Sequence, residues 1–200
     1  SQVYKTQIFI KIEKKIEIAR KPAKKEAAPV VPAQDLYENA SMAYGHGEYG
    51  RAEELLGSLL KGSPFNAKAL SLMARVCANQ GRLDDALRHI EGALKADNMN
   101  PGCHYLHSSI LKEKGLKQEA MGALRKSVYL DADFTLAYFA MGNLALSAGG
   151  RVDAERYFNN ALLLLRKHGS DDILPESEGI TAGRLMELIE SMKWRKKDRP

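Results

Sequence analysis

The stretch Gly81-Arg-Leu-Asp-Asp-Ala86 decides the fold, because its glycine and its alanine return at one fixed interval along the chain. Each recurs every 34 residues, with nothing inserted or deleted between the copies. A fixed period of this length indicates one helix-turn-helix unit that is copied and stacked. The four copies of the stretch are Gly47–Ala52, Gly81–Ala86, Gly115–Ala120 and Gly149–Ala154.

The recurring glycine and alanine predict how each unit folds. The glycine ends the first helix, because the left-handed turn there strains any residue that has a Cβ. The alanine lies early in the second helix, where a small side chain lets the two helices approach closely. The sequence therefore predicts an all-α solenoid of eight helices. Its four units are residues 33–66, 67–100, 101–134 and 135–168.

Each second helix carries an alanine followed four residues later by a large apolar residue. These pairs are Ala52/Leu56, Ala86/Ile90, Ala120/Leu124 and Ala154/Phe158. In this the units resemble the tetratricopeptide repeat. The resemblance implies a curved array whose first helices line a concave groove for a peptide or protein partner. Members that bind chaperone tails use a Lys and an Asn in the first unit, where this chain has Tyr37 and Ser41, so we expect no co-chaperone role.

We expect the residues one step beyond the core stripe of each first helix to face this groove. Aromatic rings, amides and two cations there suit a peptide with apolar anchors and one or two carboxylates. No Ser/His/Asp or Cys/His order indicates nucleophilic catalysis, so the chain itself is expected not to be an enzyme. The candidate groove residues are Tyr37, Ser41, Tyr44, Arg75, Asn79, Tyr105, Ser109, Lys112, Phe139 and Asn143.

Two histidines and two cysteines raise the question of a metal site. His104 and His107 replace core residues of the third unit, beside Cys103. A metal site needs three or four converging ligands, and only the two histidines share a face. We therefore expect partly buried, hydrogen-bonded histidines and no metal. Cys77 and Cys103 are expected to be buried, reduced thiols, as in a cytoplasmic protein.

The formal net charge of +5 is carried by the two ends of the chain. Residues 1–31 contribute +5 and residues 192–200 contribute +4, which leaves the middle of the chain at −4. A nucleic-acid binder usually spreads basic side chains over a folded face, with aromatic rings between them. Basic ends indicate solubilising segments instead, so nucleic-acid binding is not expected. No stretch reaches the ~18 apolar residues of a membrane span, and no membrane insertion is expected.

The first 20 residues differ from the rest, because β-branched and aromatic side chains partly alternate there. Such a strand-like segment has no partner strand in a helical chain. We expect residues 1–20 to be a remnant of the sheet of a preceding catalytic domain, joined to the repeats by a Lys/Ala/Pro linker at 21–32. Because an unpaired apolar strand can pair with a second copy, Ile8–Ile12 also predicts a homodimer.

After the repeats we expect a loop at 169–180, a helix at 181–194 and a basic tail at 195–200. Thr181 is a suitable N-cap for this helix. A solenoid needs a last helix over its open apolar end, and we expect this one to cap the array. Its predicted apolar stripe is Leu185, Leu188, Ile189 and Met192.

Two stretches outside the repeats are Leu174-Pro-Glu-Ser-Glu-Gly-Ile-Thr-Ala-Gly-Arg-Leu185 and Lys5-Thr-Gln-Ile-Phe-Ile-Lys11. The first resembles the tail that follows the repeats in some bacterial CheR-type chemotaxis methyltransferases, and the second resembles the final strand of their catalytic domain. The resemblance implies a parent enzyme that transfers methyl groups from S-adenosylmethionine to receptor glutamates. This chain lacks the glycine-rich loop between a strand and a helix that would hold the cofactor, so we expect the chain itself to bind no cofactor.

The sequence therefore predicts a cytoplasmic, regulatory interaction domain of such an enzyme. Its expected partner is a protein or peptide, with a chemoreceptor tail or a response regulator as candidates. A free-standing tetratricopeptide scaffold for a bacterial multiprotein complex is the first alternative. A nucleic-acid-associated adaptor that uses the basic ends is the second.

Overall fold

Nine helices make up the computed structural model of the protein over residues 32–194, the part of the chain that the structure describes. The predicted all-α solenoid is confirmed, and its eight repeat helices are followed by a ninth. The predicted strand-like segment 1–20, the linker up to residue 31 and the tail 195–200 lie outside the described residues. The helices are α1 Ala33–Gly45, α2 Tyr49–Gly62, α3 Ala67–Asn79, α4 Leu83–Ala96, α5 Pro101–Glu113, α6 Lys117–Leu130, α7 Thr135–Ser147, α8 Arg151–Leu165 and α9 Ala182–Trp194.

The recurring glycines are left-handed at the turn inside each repeat, as predicted. Their φ angles lie between 75° and 82°, a region that strains residues with a Cβ. In the second repeat, the Gly81 amide donates to the Ala78 carbonyl at 2.9 Å, and the Arg82 amide donates to the Cys77 carbonyl at 2.9 Å. These bonds satisfy carbonyl groups at the end of α3, so the chain turns into α4 without losing backbone hydrogen bonds.

The recurring alanines lie where the two helices of a repeat touch. Ala52, Ala86, Ala120 and Ala154 are each 0% exposed. The large residue four positions later is also buried, as Leu56 shows in the first repeat. Each second helix packs in turn against the first helix of the following repeat. The apolar core therefore extends from repeat to repeat along the stack, and the first helices are left to line one face.

Helix α9 packs against α8 at the end of the array. Thr181 is its N-cap, because the Thr181 hydroxyl accepts a hydrogen bond from the Arg184 amide at 3.3 Å. Leu185 and Ile189 are 0% exposed. The predicted stripe is wrong at Leu188, whose side chain is 39% exposed. The contact face of α9 is turned away from Leu188, because Met186 and Met192 pack with Leu185 and Ile189 against the same core.

The two cysteines are buried and free, Cys77 in α3 and Cys103 in α5. Burial raises the pKa of both thiols, since a thiolate loses its hydration there. Both therefore behave as small apolar side chains of the core. No helix within residues 32–194 combines the length and the apolar character that crossing a membrane requires.

Candidate peptide-binding cleft

The first helices of all four repeats, α1, α3, α5 and α7, line one cleft of about 570 Å³. The cleft has a polar end on α1 and α3 and an apolar end on α5 and α7. Helical spacing produces this arrangement, since residues four apart on each first helix point to the same side. Six of the ten predicted groove residues line the cleft, namely Tyr44, Arg75, Asn79, Tyr105, Ser109 and Phe139.

Arg75 is the one cationic side chain among the described residues that line the cleft. It is 19% exposed and forms an ion pair with Glu176, while Glu178 lies 4.0 Å from its second terminal nitrogen. Both glutamates follow the last repeat in the sequence. A largely buried guanidinium needs such partners, because an unpaired charge there would lose its hydration without compensation.

Tyr44 connects the second glutamate to the repeats. Its hydroxyl donates a hydrogen bond to Glu178 at 2.7 Å and accepts one from the Asn79 amide group at 2.9 Å. Burial and the adjacent Glu178 carboxylate raise the pKa of Tyr44 to about 12. Like an ordinary tyrosine, it is a hydrogen-bond donor at neutral pH, which suits a carboxylate ligand.

The apolar end of the cleft is built from aromatic rings. Tyr105 packs against Phe134 with ring centroids 5.4 Å apart, and Phe139 packs against Phe158 at 6.0 Å. Burial raises the pKa of Tyr105, as expected for a phenol largely enclosed by apolar groups. Rings held by such packing offer an apolar side chain a rigid surface at little cost in conformational entropy.

Tyr37, also predicted to face the groove, lines a second cavity of about 310 Å³. Burial raises its pKa as well. Arg75 and Glu176 line both cavities, so their ion pair lies between the two. Gly102 also lines the second cavity, and a Cβ there would lie 3.0 Å from Glu176 Oε1. The absence of a side chain at Gly102 is what leaves room for Glu176.

Three predicted groove residues line neither cavity. Ser41 is exposed and Asn143 is half-buried. The Lys112 side chain is 54% exposed and pairs with Glu113 at 3.1 Å. Glu113 follows Asn79 by one repeat period and does line the cleft. The last turn of α5 therefore presents an anion to the cleft, and the predicted cation, Lys112, lies outside its lining.

A segment after the repeats, within the predicted loop 169–180 and the predicted CheR-like tail, crosses the polar end of the cleft. We call residues 174–180 the strap. Glu176, Ser177, Glu178 and Ile180 all line the cleft. One signal in the sequence points to it, since a largely buried arginine requires a carboxylate, and residues 171–178, directly after the last repeat, hold four acidic side chains.

The histidines of the third repeat lie apart from the cleft lining. His104 is buried, with Nε2 3.0 Å from the Asn98 carbonyl oxygen. Burial lowers the pKa of His107, because the imidazolium form loses hydration. Across residues 32–194, no three His, Cys, Asp or Glu side chains come together as metal ligands would.

Comparisons with known proteins agree with this architecture. Residues 43–110 match the family model of the tetratricopeptide repeat. The sequence has no match among curated proteins.

Solved structures with a similar fold include the MamA protein, at 17% identity and a TM-score of 0.61, over 83% of this chain and 85% of that one. MamA from Desulfovibrio magneticus RS-1, from residue 41 to the end, is 20% identical with a TM-score of 0.64, over 70% and 78% of the two chains. PilF of Pseudomonas aeruginosa is 18% identical with a TM-score of 0.66, over 82% and 69%. The repeat period and these folds agree on the architecture: residues 33–165 form an all-α, tetratricopeptide-like solenoid of four helix-turn-helix units, and residues 43–110 of it match the family model.

Proposed function

We propose that this solenoid is the partner-binding, non-catalytic C-terminal part of a CheR-type chemoreceptor glutamate methyltransferase. The support is the likeness of its two flanks, at residues 5–11 and 174–185, to parts of such enzymes. In this proposal a preceding cytoplasmic domain binds S-adenosylmethionine and transfers the methyl group. The solenoid then recruits a chemoreceptor tail or a response regulator and so decides which receptor is methylated, or when.

The observation that carries partner binding is the composition of the cleft. Arg75, Tyr44 and Asn79 gather donors for a carboxylate at one end. Tyr105 and Phe139 offer an apolar surface at the other. A peptide with both kinds of side chain would be fixed in one direction, since its charged and apolar groups cannot exchange places.

The coding sequence upstream of Ser1 gives the first test of the parent enzyme. We expect it to encode an α/β domain with a glycine-rich loop between a strand and a helix, where S-adenosylmethionine would bind. A start codon or a signal sequence directly before Ser1 would reject the methyltransferase proposal and leave the interaction scaffold.

Receptor methylation by the full-length enzyme gives the second test, measured with radiolabelled S-adenosylmethionine. The variant R75Q/Y105A should change the rate or the receptor preference, because it removes one anchor from each end of the cleft. The matched control is K112Q, which removes a cation from α5 outside the cleft lining. Identical methylation by wild type, R75Q/Y105A and a form ending at Pro32 would reject a regulatory role.

A free-standing scaffold is the second candidate function. The observation that favours it is the similarity to MamA and PilF, which extends over 83% and 82% of this chain. Under this alternative no methyltransferase domain precedes the repeats. R75Q should then abolish binding of an assembly partner while receptor methylation in cells stays unchanged.

A further inference from the structure

The strap places two carboxylates of the same chain on the polar end of the cleft. Glu176 pairs with Arg75, and Glu178 accepts a hydrogen bond from Tyr44. Under the proposed function, Arg75 and Tyr44 are the groups that would bind the carboxylates of a partner. The cation of the cleft is therefore already engaged before any partner arrives.

The strap is anchored at its ends and more weakly held between them. Leu174 is 3% exposed within the core formed with α8 and α9. Its amide donates to the Ile180 carbonyl at 3.0 Å, and Ile173 bridges Thr181. Between these points the Glu178 side chain is 63% exposed. Ser177 is buried, but the contacts that join the two glutamates of the tip to Arg75 and Tyr44 are ionic or polar, and water and salt weaken such contacts.

The backbone of the tip disfavours the closed position. Glu176 has a φ of 62° and Glu178 a φ of 53°, both in the left-handed region. Residues with a Cβ enter this region only when other contacts offset the strain. Contacts with Arg75 and Tyr44 provide that offset. A partner that takes over these contacts would also release the strained backbone, which lowers the barrier to exchange.

From these observations we infer that the cleft recognises a partner segment with two acidic side chains separated by one residue, and that the strap is an internal copy of this ligand which the partner must displace. The inference rests on the proposed partner-binding function of the cleft. It adds the chemistry of the ligand and a built-in competitor.

An apolar residue two positions after the acidic pair of the strap extends the recognised pattern. Ile180 lies two residues after Glu178, lines the cleft and is 40% exposed. The recognised pattern is therefore acidic-x-acidic-x-apolar, with the apolar side chain in the lining of the cleft. A third acidic group in place of the apolar one would be disfavoured, because Glu113 lines the cleft.

An intramolecular competitor weakens partner binding because only the molecules with an open strap can bind; the apparent dissociation constant is the intrinsic one divided by the open fraction. Closing a short tethered strap costs little entropy, so the closed form should dominate. The apparent dissociation constant then rises in proportion to the closed-to-open ratio. Variants that open the strap should bind the same ligand more tightly without any change in the cleft itself.

The test uses the 200-residue protein and a fluorescein-labelled peptide, ILPESEGI, which is the sequence of residues 173–180. Fluorescence anisotropy measures its binding to wild type and to E176Q/E178Q. We expect the double variant to bind about tenfold or more tightly than wild type, because its own strap no longer competes. Adding R75Q to the double variant should remove the binding.

Two matched controls separate this mechanism from a general charge effect. E187Q/E190Q removes two exposed negative charges from α9, away from the cleft, and should bind the probe as weakly as wild type does. The peptide ILPQSQGI should not bind E176Q/E178Q. Equal affinity of wild type and E176Q/E178Q for ILPESEGI, or equal binding of both peptides, would overturn the inference.

Methylation separates a failure of this inference from a failure of the proposed function. An enzyme whose receptor methylation depends on Arg75, but whose strap variants do not change probe binding, keeps the proposed function and loses the competitor. If the strap variants bind the probe more tightly as expected but methylation does not depend on Arg75, the competitor is kept and the proposed function is lost.

Discussion

In the fourth repeat, the missing side chain of Gly142 compensates for the large ring of Phe158. Gly142 occupies the position that holds Ala40, Ala74 and Ser108 in the earlier repeats. A Cβ on Gly142 would lie 2.4 Å from Phe158 Cε1, far inside normal contact. The earlier repeats have Leu or Ile where the fourth has Phe158. The larger ring therefore fills the space that a methyl group at residue 142 would need.

The substitution G142A should destabilise the protein by about 1–2 kcal/mol. Overpacking of this kind costs roughly 1–3 kcal/mol, and Phe158 is 2% exposed, so its ring has no free space to enter. Alanine favours the helix over glycine by up to about 1 kcal/mol, which offsets part of the cost. In an F158L background the clash is gone, so G142A should be neutral or stabilising there.

Urea unfolding, followed by far-ultraviolet circular dichroism, measures this cycle of two single variants and one double variant. The control is G122A in α6, where a new Cβ would meet nothing within 4 Å and should stabilise by up to about 1 kcal/mol. If G142A stabilises the wild type as G122A does, or if its effect is the same with Phe158 and with F158L, the packing explanation is refuted.

Three further outcomes are expected. L185A should destabilise the array by about 2–5 kcal/mol, because Leu185 is fully buried; an unchanged urea midpoint would contradict this. Tyr44 should ionise near pH 12, since burial and Glu178 oppose the phenolate. Its contribution to stability is present below pH ~10 and is lost as the pH rises through its folded pKa. The difference in absorbance titration between wild type and Y44F isolates this group, and a difference centred near pH ~10 would contradict the expectation. G102A should speed hydrogen exchange in the strap, because its Cβ crowds Glu176; unchanged exchange would show that Gly102 is not needed there.

The sequence predicted the solenoid well because its signals are local. Gly81 and Ala86 lie five residues apart, and each acts on the turn or on the helix pair that contains it. Repetition at a fixed period then adds four equal pieces of evidence for one architecture. The N-cap at Thr181 is local in the same sense, and it too was predictable.

The candidate site was only partly predictable because it depends on contacts between distant residues. The Arg75–Glu176 pair joins residues 101 positions apart, and no periodic pattern connects them. A given repeat position also does not face the cleft in every repeat: Tyr44 and Ala78 line it, but Lys112, one period further on, does not. Glu113, one repeat period after Asn79, lines the cleft instead, so the last turn of α5 contributes a carboxylate there.

A deletion of α9 cannot separate the capping of the solenoid from the occupancy of the cleft, because the strap depends on both. Leu174, which anchors the strap, lies in the same apolar cluster as Leu185 and Ile189 of α9. Removing the protein from Thr181 onward would therefore uncover α8 and also release the strap from Arg75. Such a truncation should bind an acidic peptide more tightly and should also be less stable, and both effects come from the loss of one anchor. Point changes at the tip, such as E178Q, leave that cluster intact, so they alone separate how the cleft is regulated from how the array is closed.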